Sequence, residues 1–306
     1  MNRRQFVRAA SAAGLGLAAS AHASADDGPA EPGRMDYVFF SKTLRAQSVD
    51  ELIESLKRMG ADGVDLAVRP GYAVNPDNAA RELAPAATKV RAAGLCIPMV
   101  TAPTDLNNPS TAYAEPLFRA CGEAGIGLLK LGYWPYRGKD YWQAVDAMKR
   151  DVGGFAKLGA RFGVKPCLHT HSGSNLALNA SALMHVLRDF SPREVGAYID
   201  PAHLAICGEP IAMALDIAGD WLAIVSAKDA VKERPQDGAV RMRAVPCGEG
   251  FVDWASMMTW LVRHGFTGPL SFHSEWQSPN VEHLLTQTAK DIAYLRAVEK
   301  EVRAKA

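Results

Sequence analysis

The chain carries almost no net charge, with 34 basic residues set against 33 acidic ones for a formal +1. Nucleic-acid binding calls for a basic patch or a pI above about 9, so that class of partner is excluded. Paired cysteines at CxxC spacing are also missing. The five cysteines (Cys96, Cys121, Cys167, Cys207 and Cys247) stand far apart, no nucleophilic role is indicated for them, and their odd number leaves at least one thiol unpaired. Cys96 and Cys167 fall in apolar, strand-like runs and read as small buried hydrophobes. A disulfide stays open if the compartment is oxidising. No GxGxxG or P-loop opens a helix, so no nucleotide cofactor is expected. No Pro/Ser/Gly-rich linker divides the middle of the chain, which favours one large domain.

The N-terminus has its own character. Arg3-Arg4-Gln5-Phe6-Val7 precedes an Ala/Gly/Leu run from Ala9 to Ala21, followed by Ala21-His22-Ala23. Paired arginines, a weakly apolar stretch and small residues at a cleavage point read as a twin-arginine signal peptide over 1–23. The apolar run falls short of the ~20 residues that span a bilayer. The expectation is a periplasmic or secreted product with no membrane span, a flexible leader over 24–35 and a folded domain over 36–306.

From there, short apolar runs alternate with segments of helical period. The strand candidates lie at 37–41, 63–68, 94–101, 126–132, 164–170, 195–200, 222–228 and 268–274. Strands alternating with helices imply parallel pairing through right-handed crossovers. The first helix shows how clear the pattern is. Ser48 and Glu51 form a capping box, Val49, Leu52, Ile53, Leu56 and Met59 make one apolar stripe, and Gly60 stops it. Another helix starts at Asp253 and carries Trp254, Met257, Leu261 and Val262 as core residues up to Gly265. Eight such units favour an α/β fold closed as a single (β/α)8 TIM barrel over an open doubly wound sheet.

Closure tells which polar residues matter, because barrel enzymes place their chemistry at the C-terminal ends of the strands. That rule collects Lys42, Asp65, Arg69, Lys130, His169, His171, Asp200, His203, Lys228, Asp229, His273 and Glu275. Residues two apart on a strand share a face, so His169 points with His171 and His273 with Glu275. Any one of these could serve only to cap a helix or satisfy a carbonyl. Converging on one mouth, they form a stronger signal than any one alone: Glu275, Asp200, Lys228 and His203 are the candidate catalytic groups, and Lys42, Asp65, Arg69, Lys130, His171 and His273 the candidate contacts to a substrate. The segment 229–250, rich in charge and without an apolar period, is expected to be a long loop, either covering the mouth as a lid and bringing Glu249 to the substrate or moving freely in solvent.

Several segments together resemble the xylose isomerase-like barrel superfamily, and within it exported sugar phosphate isomerase/epimerase-like proteins. They are Phe40-Ser41-Lys42, Gly63 to Gly71, Leu131-Gly132-Tyr133, His169-Thr170-His171-Ser172-Gly173, Ile199-Asp200-Pro201-Ala202-His203, Ala227-Lys228-Asp229, Gly248-Glu249-Gly250 with Asp253, and Gly268 to Trp276. The resemblance spans nearly the whole chain after the leader. It implies a sugar isomerase or epimerase working through an enediolate. Relatives that are lyases or hydratases of 3-keto-glycosides, and a non-catalytic sugar-binding or partner subunit, are the alternatives it leaves open.

The superfamily holds a divalent metal with a carboxylate on strand 5, an Asp on strand 6, a His on strand 7 and a Glu on strand 8. Here Asp200 and Glu275 match, whereas His169 stands in the strand-5 position and Ser226 in that of the strand-7 His. His169, Asp200 and Glu275, with His171 beside them, would offer mixed nitrogen and oxygen ligands suited to Mn²⁺, Co²⁺ or Zn²⁺. A metal-free mouth in which His169 and Lys228 bind sugar oxygens is the other possibility. A small sugar is the expected partner in either case.

Overall fold

The computed structural model describes residues 34–138, 140–234, 236, 238 and 240–305. The twin-arginine segment and most of the expected leader lie outside the described residues. Met35, expected in the leader, is buried in the core, so the folded domain begins slightly earlier than the sequence suggested.

Each apolar run becomes a strand: β1 (Tyr37–Phe40), β2 (Gly63–Ala67), β3 (Cys96–Thr101), β4 (Leu128–Lys130), β5 (Lys165–His169), β6 (Gly196–Ile199) and β7 (Leu222–Ala227). An antiparallel hairpin, β8 (Asp229–Glu233) and β9 (Arg241–Val245), follows, and β10 (Leu270–Phe272) completes the set. The strands other than the hairpin pair in parallel and close into a barrel, β10 lying between β7 and β1. Around it run α1 (Val49–Met59), α2 (Ala79–Ala92), α3 (Ala114–Glu123), α4 (Tyr141–Phe162), α5 (Ala180–Leu187), α6 (Pro201–Cys207), α7 (Ile211–Ala218), α8 (Trp254–Arg263) and α9 (Val281–Arg303). Among the described residues no single helix is long and apolar enough to cross a membrane. All five cysteines are free thiols.

Local signals act as the sequence says they should. The Ser48–Glu51 capping box forms, and Gly60 ends α1 at φ 68°, a left-handed conformation that glycine adopts without a Cβ penalty. Asp253 caps α8 by accepting from the Ser256 N–H.

The two-residue period of the strands sorts the chain into two environments. Phe39, Val64, Leu66, Val100, Leu129, Leu168, Ile199, Val225 and Phe272 belong to the large core shared with the helices. Their alternate neighbours face the barrel interior, where Met99, Cys167, Tyr198 and Ile224 form a separate small apolar cluster. Toward the C-terminal ends the interior turns polar. Register sets Phe40 beside Asp65, Thr101 beside Lys130 and His169 beside Tyr198, so these side chains look into the same space.

The segment 229–250 corrects the expectation of a lid. It folds as the β8–β9 hairpin, and Lys232 donates to the Ile206 carbonyl on α6. None of its described residues lines the cavity at the mouth. Glu249 is exposed and is not one of the groups at that cavity. The missed signal was alternation: Val231, Arg243 and their neighbours pair across the hairpin with charged residues on its open face, which a search for apolar period passes over.

Asp229 anchors the base of this hairpin. Its buried carboxylate accepts from the backbone N–H groups of Gly248, Gly250 and Val252 and from the Trp254 indole N–H. Gly248 has φ 92°, and a Cβ on Gly250 would run into Asp229 itself, so both glycines serve this close approach. Removing the acceptor leaves the buried Trp254 indole N–H unpaired, worth about 1–3 kcal/mol, together with three partly buried backbone donors. Asp229→Ala is therefore expected to lower the stability of the fold by roughly 3 kcal/mol or more, read as a lower denaturation midpoint, with proteolysis starting in 229–250.

Candidate active site

A cavity of about 150 Å³ opens at the C-terminal ends of the strands. Phe40, Lys42, Arg69, Lys130, His169, His171, His203, Lys228, His273 and Glu275 line it, together with Thr101, Thr104, Tyr133 and Tyr198. Most of the residues collected from the sequence therefore meet at one mouth.

Asp200 is fully buried behind the lining. Ending β6 at the first turn of α6, it directs Oδ1 to the N–H groups of Ala202 and His203 at 3.0 and 3.2 Å. A carboxylate at a helix N-terminus meets both unpaired N–H donors and the positive end of the dipole. Oδ2 is left free of hydrogen bonds, as is Nε2 of His169, and the two atoms lie 3.4 Å apart. His273 completes a buried trio whose ligand atoms fall within 4.8 Å of one another. Two orphaned donors at that separation suit a shared cation whose bonds are about 2.0–2.2 Å long. The trio has His273 where the sequence put Glu275.

Glu275 is committed elsewhere. Its two oxygens take Lys42 Nζ at 2.8 Å and Lys228 Nζ at 2.9 Å. Burial works against its charge, but Lys228 foremost, with Lys42 also hydrogen-bonded to it, outweighs it and holds the carboxyl well below the usual range. Burial likewise opposes the charge on Lys228, and Asp200 and Glu275 outweigh it, keeping the ammonium protonated. The histidines behave oppositely. Burial pushes His169, His203 and His273 down to about 3, so all three are neutral near pH 7 and keep a lone pair for a ligand or a hydrogen bond.

The remaining rings are fixed by short contacts. Ser172 Oγ lies 2.8 Å from His203 Nδ1, leaving Nε2 3.3 Å from Lys228 Nζ. Tyr198 Oη lies 2.7 Å from His273 Nε2. The His171 ring lies tilted with its centre 4.0 Å from that of His203, and Tyr133 packs its edge against both His169 and His171. Arg69 donates to the Ala102 carbonyl and sits over the Phe40 ring. Tyr133, Tyr198, Phe40, Thr101 and Thr104 received no role from the sequence. Tyr198 was within reach, since it lies two residues before Asp200 on the same inward face. Tyr133 and Thr104 sit beyond the strands, where no period marks direction.

Asp65 points inward but lies below the cavity. It accepts from Thr101 Oγ1 at 2.7 Å and Ser271 Oγ at 2.9 Å and is not among the lining residues, so the structure makes it a brace between strands where a substrate contact was expected. Burial raises its pKa to about 6 from 3.8. A carboxyl raised by folding contributes stability that is complete below its unfolded value and lost as the pH climbs through the folded value. Asp65→Asn is accordingly expected to raise stability at pH 7.5 by up to about 3 kcal/mol, at 1.36 kcal/mol per unit of pKa, and to change it little at pH 4. Thermal denaturation at the two pH values checks this.

A closed parallel barrel with its polar groups gathered at the C-terminal strand ends defines a protein of the TIM-barrel class. Within that class, residues 53–298 match the family described as xylose isomerase-like TIM barrel, and the chain belongs to it. Among solved structures, the 3-keto-D-glucoside 4-epimerase YcjR from E. coli, in its apo form, superposes with a TM-score of 0.66 at 14% identity, over 86% of this chain and 100% of its own. A D-tagatose 3-epimerase-like protein gives 0.69 at 16% identity, over 89% of this chain and 99% of its own. A xylose isomerase domain protein from Planctomyces limnophilus gives 0.65 at 19%, over 89% and 99%. At such identities the likeness is one of fold. Compared by sequence with curated proteins, the chain gives no match.

Proposed function

We propose that the protein is an isomerase or epimerase of a small keto-sugar, working through an enediolate at the barrel mouth. The observation that carries this is the pairing of two orphaned buried atoms, His169 Nε2 and Asp200 Oδ2, with neutral imidazoles and a charged lysine around one small cavity. Its volume of about 150 Å³ is below the 300–1,000 Å³ typical of drug-sized ligands, which favours a single sugar ring. Epimerases of such sugars among the structures of the same fold add support.

His169, Asp200 and His273 fit a divalent cation such as Mn²⁺, Co²⁺ or Zn²⁺ by their spacing and their mixed nitrogen and oxygen donors. Bound there, it would supply positive charge to the developing oxyanion. Removing the proton next to the carbonyl falls to an imidazole, and the neutral rings of His203 and His171 face the cavity for it. Lys228, held protonated between Asp200 and Glu275, gives an N–H to the oxygen that gains charge. Ser172 fixes the His203 ring so that Nε2, the nitrogen near Lys228, is the one presented. Glu275 serves as the counter-ion that keeps Lys228 in place. The twin-arginine leader, outside the described residues, supports the further proposal that the folded protein works in the periplasm or medium.

The test is proton exchange. Incubated in D₂O with D-tagatose, D-fructose and a methyl 3-keto-glucoside, the protein is expected to wash deuterium into the carbon next to the carbonyl and to yield the epimer or isomer, both seen by NMR. An unsaturated product absorbing in the ultraviolet would point to a keto-glycoside lyase. Binding without exchange for any such sugar would sink the enzymatic reading.

A further inference from the structure

Lys130 is a buried polar side chain to which that reading gives no task. It ends β4, only 2% of it is exposed, and its Nζ has no hydrogen-bond partner. Arg69, just past the end of β2, is half-buried and spends Nε on the Ala102 carbonyl, which leaves its two terminal nitrogens without an acceptor among the described residues. Both side chains line the cavity, and each lies over an aromatic ring. Lys130 Nζ is 3.7 Å from the centre of Tyr133, and the Arg69 guanidinium is 5.3 Å from that of Phe40, contacts that favour the charged forms. Neither cation touches a carboxylate. Glu275 is held by Lys42 and Lys228, and Asp65 accepts from Thr101 and Ser271 below the cavity.

Strand order divides the mouth into two arcs. β2, β3 and β4 are neighbours in the barrel, so Arg69, Thr101 and Lys130 belong to one side of the wall, while His169, Asp200 and His273 stand at the ends of β5, β6 and β10 around the rest of it. The second arc holds the trio that fits a cation. The first presents two positive charges with nothing set against them, and a buried charge calls for a partner. Across the whole lining, Lys42, Arg69, Lys130 and Lys228 face a single carboxylate, Glu275. Burial, and after it the repulsion from Arg69, pushes the Lys130 pKa well below the usual lysine value. A negative group brought against the two cations would offset both effects.

We propose that this arc is an anion subsite and that the substrate is a keto-sugar acid, its carboxylate held by Arg69 with Lys130 as the second charge. This rests on the reading that the site isomerises or epimerises a small keto-sugar, whose carbonyl then reaches the opposite arc. The two terminal nitrogens of a guanidinium match the two oxygens of a carboxylate in one plane. Fixing Nε on Ala102 and seating the guanidinium over Phe40 sets that fork before the substrate arrives. A phosphate ester would bring the same sign of charge on a bulkier head, and a cavity of about 150 Å³ favours the smaller group.

Matched substrates test this in the intact protein. D-fructuronate is D-fructose with its C6 hydroxymethyl oxidised to a carboxylate, D-tagaturonate stands in the same relation to D-tagatose, and D-fructose 6-phosphate carries the alternative anion. Calorimetric Kd, and kcat/KM for deuterium exchange by NMR, are expected to favour a keto-acid over its neutral partner by about thirtyfold, the scale of a charge-assisted contact. Lys130→Met should fold, since it replaces an unpartnered buried side chain by an apolar one of similar length; in it, and in Arg69→Gln, the ratio should fall to about threefold or less. Neutral ketoses handled as well as their acids, or no binding of either acid, overturns the subsite; if those neutral ketoses exchange, the isomerase reading stands. Preferential binding of an acid with exchange in neither partner keeps the subsite and removes the isomerase. A preference for the 6-phosphate over the acid overturns the carboxylate, and an undiminished ratio in both variants overturns the placement at Arg69 and Lys130.

Discussion

Asp200→Asn is expected to abolish turnover while leaving the protein folded. The residue uses its two oxygens differently. Oδ1 caps α6 through Ala202 and His203, and Asn caps a helix about as well as Asp. Oδ2, 3.4 Å from His169 Nε2 and without a hydrogen bond, has no such substitute, because an amide carries no charge to share with a cation or to hold Lys228 protonated. A loss of about a thousandfold in kcat/KM is expected, which is roughly 4 kcal/mol of transition-state stabilisation at 1.36 kcal/mol per tenfold. Thermal stability should shift by less than about 1 kcal/mol, whereas Asp200→Ala should lose about 1 kcal/mol more through the missing cap. Deuterium exchange, denaturation and metal content, measured on wild type and both variants, separate these effects. Wild-type exchange in Asp200→Asn would remove Asp200 from the chemistry.

Breaking the Lys228–Glu275 pair should be the most damaging single change to stability at the mouth. The Lys228 side chain is 5% exposed, that of Glu275 21%, while the Lys42 side chain, the second partner of Glu275, is 42% exposed and turns into water without penalty. Glu275→Gln leaves a buried ammonium with a neutral neighbour, a situation that typically costs about 3–5 kcal/mol; Asp200 nearby puts the expectation at the lower end. Lys228→Met should cost less, since Glu275 keeps Lys42. Combining the two should recover part of the loss, and a double-mutant cycle on denaturation midpoints is expected to show coupling of about 2 kcal/mol. The pH window follows from the shifts. The depressed Glu275 contributes stability above its unfolded value of 4.5 that is lost as the pH falls, and the raised Lys228 contributes below 10.5 and loses it as the pH rises. Strict additivity of the two variants would dismiss the pair as a unit.

Much of the barrel was legible because its signals are local. Each of the eight apolar runs was found, since a strand with its outer face on helices must repeat apolar residues at every second position, as Val64 and Leu66 do around Asp65. The α1 and α8 caps were read from single residues for the same reason. The hairpin at 229–250 was not, because one face of it carries charges and its pairing is a contact between segments, which no single window reveals.

At the mouth, inventory and assignment part company. The rule that chemistry gathers at strand ends collected residues most of which line one cavity, and Glu249 and Asp65 were the exceptions, one carried away by the hairpin and the other sunk below the cavity. Which groups touch was beyond the sequence. His273 joins His169 and Asp200 while Glu275 turns to two lysines, although both end the same strand and differ by two positions.

The sequence by itself thus determined the closed barrel and the set of polar residues at its rim, because strand period and topology are written in the order of apolar and polar side chains. Only the tertiary structure decided their states. Lys130 and Lys228 are the same residue at two strand ends, and what lowers the pKa of one and raises that of the other is whether a carboxylate from a distant strand stands within 3 Å, a distance set by packing across the barrel and by no property of either lysine's neighbours in the chain.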